Sequence, residues 1–229
     1  NSAWVQIFGD NSFIEPAFEY ARKYAPEGCK LYYNDFNEYM PSKTSAIVKM
    51  ATDLKEKGLI DGIGMQSHLD VRFPTAANYE KALKAFCDTG LDVQVTELDI
   101  TTDDTSETGF ETQASLYKQI MDLCVKYSDS VSAVVFWGTT DDKSWRAAKC
   151  PLLFNEDFTA KPAYYSIVKD REVPVVTTTT ATTTTTTTTT TVVSTSVVKR
   201  KLAGDVDQNG KIRLADLVLL HKYLTKQSE

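Results

Sequence analysis

The chain is short of histidine, of paired cysteines, of basic charge and of long apolar runs, and each shortage bears on what it does. Histidine occurs twice in 229 residues, at His68 and His221. The four cysteines, Cys29, Cys87, Cys124 and Cys150, never form a CxxC pair, so their spacing argues against a zinc site. Their wide separation is unlike a small disulfide scaffold and leaves bridges and buried thiols both open. Lys and Arg number 25 against 31 Asp and Glu, a net charge of −6. A nucleic-acid surface needs clustered Lys and Arg, so no nucleic acid is expected as a partner; an acidic surface suits an uncharged polymer such as a polysaccharide. No segment reaches the roughly 18 apolar residues of a membrane helix, and no membrane partner is expected. The chain opens Asn1-Ser2-Ala3-Trp4, with neither an initiating Met nor a signal-peptide pattern.

What is present divides into three by composition. Hydrophobic residues make up 42%, enough for a substantial core, and residues 1–172 are globular in character. Residues 173–198 hold Pro174 and then Thr177 to Thr191, broken only by Ala181. Without apolar periodicity this stretch cannot bury a core and reads as a disordered linker. Fully stretched it spans at most on the order of 80 Å; an O-glycosylated tether and a bare one both stay open. Residues 199–229 form a short charged and apolar module.

The first region alternates helical and strand patterns. Residues 13–24 predict a helix with Ile14, Ala17, Phe18 and Ala21 on one face, and Leu31–Asn34 a short strand. Ser42–Lys57 predicts a helix carrying Ile47, Met50, Ala51 and Leu54, stopped at Gly58. Ile60–Ser67 reads as a strand, Ala77–Thr89 as a helix with Tyr79, Ala82, Leu83 and Phe86 inward, and Val93–Thr96 as a strand. Glu111–Tyr127 reads as a helix burying Ala114, Tyr117, Met121 and Cys124, Val131–Trp137 as a strand, and Pro162–Lys169 as a last helix. Alternation of this kind implies a parallel α/β sheet. A doubly wound open sheet and half of a (β/α)8 barrel both fit. No glycine-rich phosphate turn follows any strand, and Gly62-Ile63-Gly64 inside a strand suits a barrel interior packed with side chains.

Polar residues collect where the strands end. The ends read Asn34-Asp35, Gln66-Ser67-His68, Glu97-Leu98-Asp99 and Trp137-Gly138. In a parallel barrel the active site forms at that rim. Gln66 and His68 are two apart and so point to one side, as do Glu97 and Asp99. A carboxylate, an imidazole and an amide at one mouth, with tryptophans nearby, suit sugar chemistry. Aromatic faces stack on pyranose rings, and a carboxylate can attack or stabilise an oxocarbenium centre.

These residues resemble family 10 of the glycoside hydrolases, the endo-β-1,4-xylanases. Thr96-Glu97-Leu98-Asp99 after Val93-Gln94-Val95 resembles the family's nucleophile motif. Tyr32-Tyr33-Asn34-Asp35-Phe36-Asn37 resembles its fifth-strand motif, and Gly62-Ile63-Gly64-Met65-Gln66-Ser67-His68-Leu69 its sixth-strand motif. Phe136-Trp137-Gly138, Asp141-Asp142, Ser144-Trp145 and Pro151-Leu152-Leu153-Phe154 resemble its eighth-strand region, and Lys161-Pro162-Ala163-Tyr164-Tyr165 the start of its last helix. The resemblance implies the C-terminal half of a TIM barrel and a retaining mechanism. Glu97 would be the nucleophile, His68 its hydrogen-bonded orienting neighbour, and Asp99 a further partner of the imidazole. Gln66, Trp137 and Trp145 would bind the sugar before the cleavage point, and Tyr33 and Asn34 the sugar beyond it. No cofactor is implied for catalysis.

The resemblance also marks what is missing. A retaining glycosidase needs a second carboxyl group about 5–5.5 Å from the first. In the family it belongs to an Asn-Glu pair after the fourth strand, ahead of the stretch resembling Ser2-Ala3-Trp4; neither Glu15 nor Glu38 stands in such a motif. The sequence is therefore expected to be a truncated domain. Alone it is expected to be inactive, for want of proton assistance worth roughly 10²–10⁴-fold, and prone to aggregate through two unpaired sheet edges.

Near the C-terminus, residues 205–216 match a twelve-residue calcium loop. Asp205, Asp207 and Asn209 offer side-chain oxygens, Lys211 its backbone carbonyl, Asp216 a carboxylate at the last position, and Gly210 the turn. With aspartate last and no entering helix, the loop resembles one repeat of a type I dockerin; Arg213 departs where an oxygen side chain commonly helps. The resemblance implies bound Ca²⁺, a cohesin module of a scaffold protein as partner, and a secreted, extracellular, cellulosome-associated enzyme acting on xylan. Two other readings stay open: a non-catalytic calcium-dependent scaffold or polysaccharide-binding protein, and a β-1,4-glucanase. Glu97 with His68 favours catalysis, since a binder has no need of an oriented carboxylate.

Overall fold

The computed structural model describes residues 2–168. The expected linker at 173–198 and the calcium-loop module at 199–229, with Asp205, Asp207, Asn209, Lys211 and Asp216, lie outside the described residues.

Two helices come first. α1 (Ala3–Phe8) is capped by Ser2, whose hydroxyl accepts from the Val5 N–H at 3.2 Å, and stops at Gly9, φ 83°. Its six residues are too few for a helical period to show in sequence. α2 (Ile14–Tyr24) buries only Ile14. Ala17 and Ala21, expected on its inner face, are exposed, because no described element covers that side. The rings of Trp4, Phe8 and Phe13 pack on one another instead, with centroids 5.9–6.2 Å apart.

The sheet follows as β1 (Tyr32–Asp35), β2 (Gly62–Met65), β3 (His68–Asp70), β4 (Asp92–Thr101) and β5 (Val131–Phe136). Between them run α3 (Pro41–Glu56), α4 (Ala76–Cys87) and α5 (Glu107–Lys126), and α6 (Pro162–Val168) closes the series. Each helix begins where its chemistry allows. Pro41 takes a first-turn position of α3, and the Thr75 and Ser106 side chains cap α4 and α5. The expected inward stripes are buried except for Met50, which is half-buried: Ile47, Ala51 and Leu54 on α3, Tyr79, Ala82, Leu83 and Phe86 on α4, Ala114, Tyr117, Met121 and Cys124 on α5. All four cysteines are free thiols.

Every strand pairing is parallel, and the order decides the architecture. β1 pairs with β2, β2 with the first half of β4, β3 with its second half, and β4 with β5. β2 and β3 together occupy one strand position, broken at Gln66-Ser67, where Ser67 has φ 60°. Spatial order therefore follows chain order with no reversal. A doubly wound sheet needs a reversal, so the barrel reading holds. β1 and β5 each have one pairing partner among the described residues.

Two details of register place side chains. Between Val95 and Leu98, β4 spends three steps against two on β5, from Val134 to Phe136. That is a bulge at Thr96-Glu97. Strict alternation would send Glu97 to the side of Val93 and Val95, both fully buried; the bulge turns it to the side of Thr96. Across the sheet, Gly62 and Gly64 leave room for larger neighbours. A β-carbon on Gly62 would stand 2.1 Å from the Tyr32 ring and 2.7 Å from the Asp92 carbonyl oxygen, and one on Gly64 2.6 Å from the Asn34 side chain.

Beyond β5 the chain passes through 3₁₀ turns at Asp141–Lys143 and Ala147–Lys149. A buried ion pair, Lys161 Nζ to Asp141 Oδ2 at 2.8 Å, pins this stretch, and Lys161 also donates to the Cys150 carbonyl at 2.7 Å. The Gly62→Ala variant is expected to lose about 1–3 kcal/mol by overpacking, read as a lower urea midpoint with an unchanged m-value.

Candidate active site

The bulge in β4 presents Glu97 at the C-terminal rim, and two neighbours hold it. Asn34 Nδ2, from the end of β1, donates to Glu97 Oε1 at 2.9 Å. Asn34 is fixed in turn, since its Oδ1 accepts from the Thr96 hydroxyl at 2.6 Å. On the other oxygen, Glu97 Oε2 lies 3.2 Å from His68 Nε2. The Glu97 side chain is 14% exposed, shielded yet reachable from the rim.

His68 stands between two carboxylates. Its Nδ1 lies 3.0 Å from Asp99 Oδ2. A ring facing an ionised carboxylate at each nitrogen satisfies both only as imidazolium. Burial works against that charge, but the hydrogen bond and charge of Asp99, followed by Glu97, outweigh it and hold the His68 pKa above its ordinary 6.5. The ring in turn holds the Glu97 carboxyl aimed through its Nε2.

Asp99 is entirely buried and gathers more than the imidazole. Trp145 Nε1 donates to Oδ2 at 3.0 Å, and Arg146 Nη1 to Oδ1 at 2.7 Å. Arg146 also donates to the Leu69 carbonyl at 3.1 Å and the Thr101 hydroxyl at 3.0 Å, tying β3 to β4. The Trp145 indole stands edge-on to the His68 ring at 4.9 Å and is 66% exposed overall. Trp137 follows β5, its N–H on the Leu98 carbonyl at 3.1 Å, and is largely exposed. Gln66 sits in the break before β3, its N–H on the Asp35 carbonyl at 3.0 Å.

The structure thus brings together Glu97, His68, Asp99, Asn34 and Trp145. Tyr33, expected to touch sugar beside Asn34, is not among them. Alternation along β1 turns it to the other face, where its hydroxyl donates to Asp35 at 2.8 Å and burial raises its pKa. At the end of β1 the exposed ring is that of Phe36, with the Lys43 ammonium 3.9 Å from its centroid. Arg146 and the Thr96 hydroxyl also escaped the sequence reading. A cation next to a tryptophan in a loop without periodicity was the only available signal for Arg146.

Parallel βα units in chain order, with carboxylate, imidazole and carboxylate in a row at the strand ends and indoles beside them, define a glycoside hydrolase of the βα-barrel class. More narrowly, the chain belongs to glycosyl hydrolase family 10, whose sequence pattern matches residues 1–170. It is 55% identical over 164 residues to the bifunctional endo-1,4-beta-xylanase XylA of Ruminococcus flavefaciens, covering 72% of this chain and 17% of that protein. It is 45% identical over 175 residues to endo-1,4-beta-xylanase Y of Acetivibrio thermocellus, covering 72% of this chain and 16% of that one. Among solved structures, the CBM22-1 and GH10 modules of Clostridium thermocellum endo-1,4-beta-D-xylanase 10B, complexed with xylohexaose, superpose with a TM-score of 0.68 at 43% identity. That match covers 74% of this chain and 35% of that one. The intracellular xylanase of Thermoanaerobacterium saccharolyticum gives 0.68 at 42% identity, covering 73% of this chain and 52% of that one. The chain therefore spans about a sixth of those two curated relatives and about a third to a half of these solved chains.

Asp99→Asn is expected to cost roughly 3 kcal/mol, the low end for breaking a buried ion pair because Arg146 keeps some exposure. It also removes a pH slope. A group whose folded pKa is raised stabilises the fold below its unfolded value and loses that contribution as pH rises through the folded one. In Asp99→Asn the His68 titration moves down, read by imidazole NMR, and the fall in stability across its range flattens, read by urea denaturation at stepped pH.

Proposed function

We propose that this chain is the nucleophile-bearing half of a retaining endo-β-1,4-xylanase. The observation that supports it most is Glu97 itself, one oxygen held by Asn34 and the other by His68 at an open rim. In this reading a Glu97 oxygen attacks the anomeric carbon of an internal xylosyl unit and the glycosidic bond breaks. The leaving-group oxygen takes a proton from a second carboxyl, and the sugar stays esterified to Glu97. Water, deprotonated by the same second carboxyl, then attacks the anomeric carbon, releases Glu97 and gives a retained product. His68 keeps Glu97 turned toward the sugar. Trp145 and Trp137 offer apolar faces to the ring before the cleavage point, with Gln66 beside them.

No residue of this sequence matches the family's acid/base motif, so the second carboxyl is assigned to barrel strands outside the sequence. The 229-residue chain alone is expected to release no reducing sugar from xylan. Joined to the first four βα units of a family 10 relative, it is expected to hydrolyse β-1,4-xylan faster than β-1,4-glucan, and Glu97→Gln to lower that rate on the order of 10⁴-fold or more. Activity surviving Glu97→Gln would remove Glu97 as nucleophile; a preference for glucan would replace the substrate.

The C-terminal module carries a second proposal. The oxygens of Asp205, Asp207, Asn209 and Asp216, with the Lys211 carbonyl, form a hard donor set at the spacing of a calcium loop. We infer that the module holds Ca²⁺ and docks on a cohesin outside the cell, the threonine stretch being its tether. Calorimetric titration of the full chain with Ca²⁺ is expected to give one binding event, abolished by Asp205→Ala. Equal heats with and without that substitution would refute the site.

A further inference from the structure

Glu38 takes no part in the row around Glu97, yet it grips the residue from which that row is hung. It lies in the loop from β1 to α3 and is fully buried, as is Ser67. Glu38 Oε1 accepts both the backbone N–H of Ser67, at 3.1 Å, and its hydroxyl, at 3.0 Å. The Ser67 hydroxyl also meets the Tyr79 hydroxyl of α4 at 2.7 Å. The other carboxyl oxygen, Oε2, is buried with no hydrogen-bond partner.

Ser67 is where β2 stops and β3 begins, with Gln66 before it and His68 after it. Its φ of 60° is a conformation a β-carbon disfavours by roughly 1–2 kcal/mol, so something must impose it. Register shows what the break achieves. From Met65, opposite Val95, to His68, opposite Asp99, the broken strand takes three steps while bulged β4 takes four. Both strands leave regular pairing at the same level, and there the Ser67 N–H goes to Glu38 rather than to a strand. On the same loop, the Tyr39 hydroxyl lies 3.1 Å from Asn37 Oδ1 and 3.5 Å from the His68 carbonyl. Burial pushes the Glu38 carboxyl up to about 7, against the bonds from Ser67 and the positive charge of Lys43. A buried acid kept at that cost, bonded through one oxygen to one strained residue, is spent on geometry.

We propose that Glu38 is a positioning residue: by fixing the Ser67 peptide it sets where His68 stands between Glu97 and Asp99. The proposal rests on the reading of Glu97 and His68 as the working pair, but its test does not use hydrolysis. His68 and His221 are the chain's two histidines, so in the full chain carrying His221→Gln the imidazole NMR signal reports His68 alone. The groups facing that ring are Glu97 and Asp99 of β4, with Arg146 behind Asp99. Glu97→Gln is expected to lower the His68 pKa, because it removes one of the two facing charges. In a Glu38→Ala background that downward shift is expected to be lost, and in Glu38→Gln, whose amide oxygen still accepts from Ser67, to return.

A carboxyl that only supported the fold would lower the melting temperature in Glu38→Ala and leave the Glu97→Gln shift at its full size; that result overturns the proposal. Should Glu38→Ala not fold, Ser67→Gly suits the same φ, removes the whole side chain with its hydroxyl, and keeps the N–H bond to Glu38. There a reduced shift is expected, and an unchanged one overturns the proposal. A protein that shows this coupling but cleaves no xylan after completion of its barrel refutes the functional reading and leaves the positioning role standing.

Discussion

Asp99 is a carboxylate taken wholly out of water, and the mouth of the fold is arranged around that fact. A buried charge costs several kcal/mol unless it is paired and hydrogen-bonded. Its donors arrive from two directions: His68 from β3, and Trp145 and Arg146 from the loop beyond β5. That loop has to fold back across β4 to deliver them, and the buried Lys161–Asp141 pair holds it there. Arg146 supplies the full positive charge and spends its remaining donors on the two strands that flank it. His68 is then fixed at one nitrogen, which leaves the other free to aim Glu97.

The aim depends equally on two irregularities in the sheet. A bulge at Thr96-Glu97 and a break at Ser67 lie side by side on neighbouring strands, where β4 takes four steps to the broken strand's three. Regular pairing here would give a tidier ladder and a carboxylate facing the helices. The protein accepts a left-handed serine and a partly unsatisfied buried acid to avoid that outcome. Departures from regular structure at a reacting group are where such strain is expected to collect.

This also separates what was legible in the sequence from what was not. Helices with a full stripe, such as α4 with Tyr79, Leu83 and Phe86, were readable because burial repeats every 3.6 residues. The parallel sheet followed from alternation; the glycines of β2 and the polar strand ends only favoured a barrel, and strand pairing decided the order. Glu97, His68, Asp99 and Asn34 were visible as chemistry at those ends and as family motifs. The face that Tyr33 takes could not be read because a tyrosine next to a site asparagine looks alike on either face of a strand, and one step of register separates the two. α1 was too short to show a period. The inner face of α2 failed because periodicity reports which residues would be buried, not whether anything covers them. Arg146 and Glu38 were illegible for a common reason: each acts through a contact distant in sequence, from a loop that carries no pattern.

The two glycines of β2 have a further consequence. Their missing side chains let Tyr32 and Asn34 of β1 lean across the interior, so that the Gln94 side chain meets the Tyr32 hydroxyl in one tier and the Thr96 hydroxyl meets Asn34 in the next. Glu97 rests on the upper tier. The empty space beside Gly64 thus becomes the seat on which Asn34, and through it the Glu97 carboxyl, is levelled.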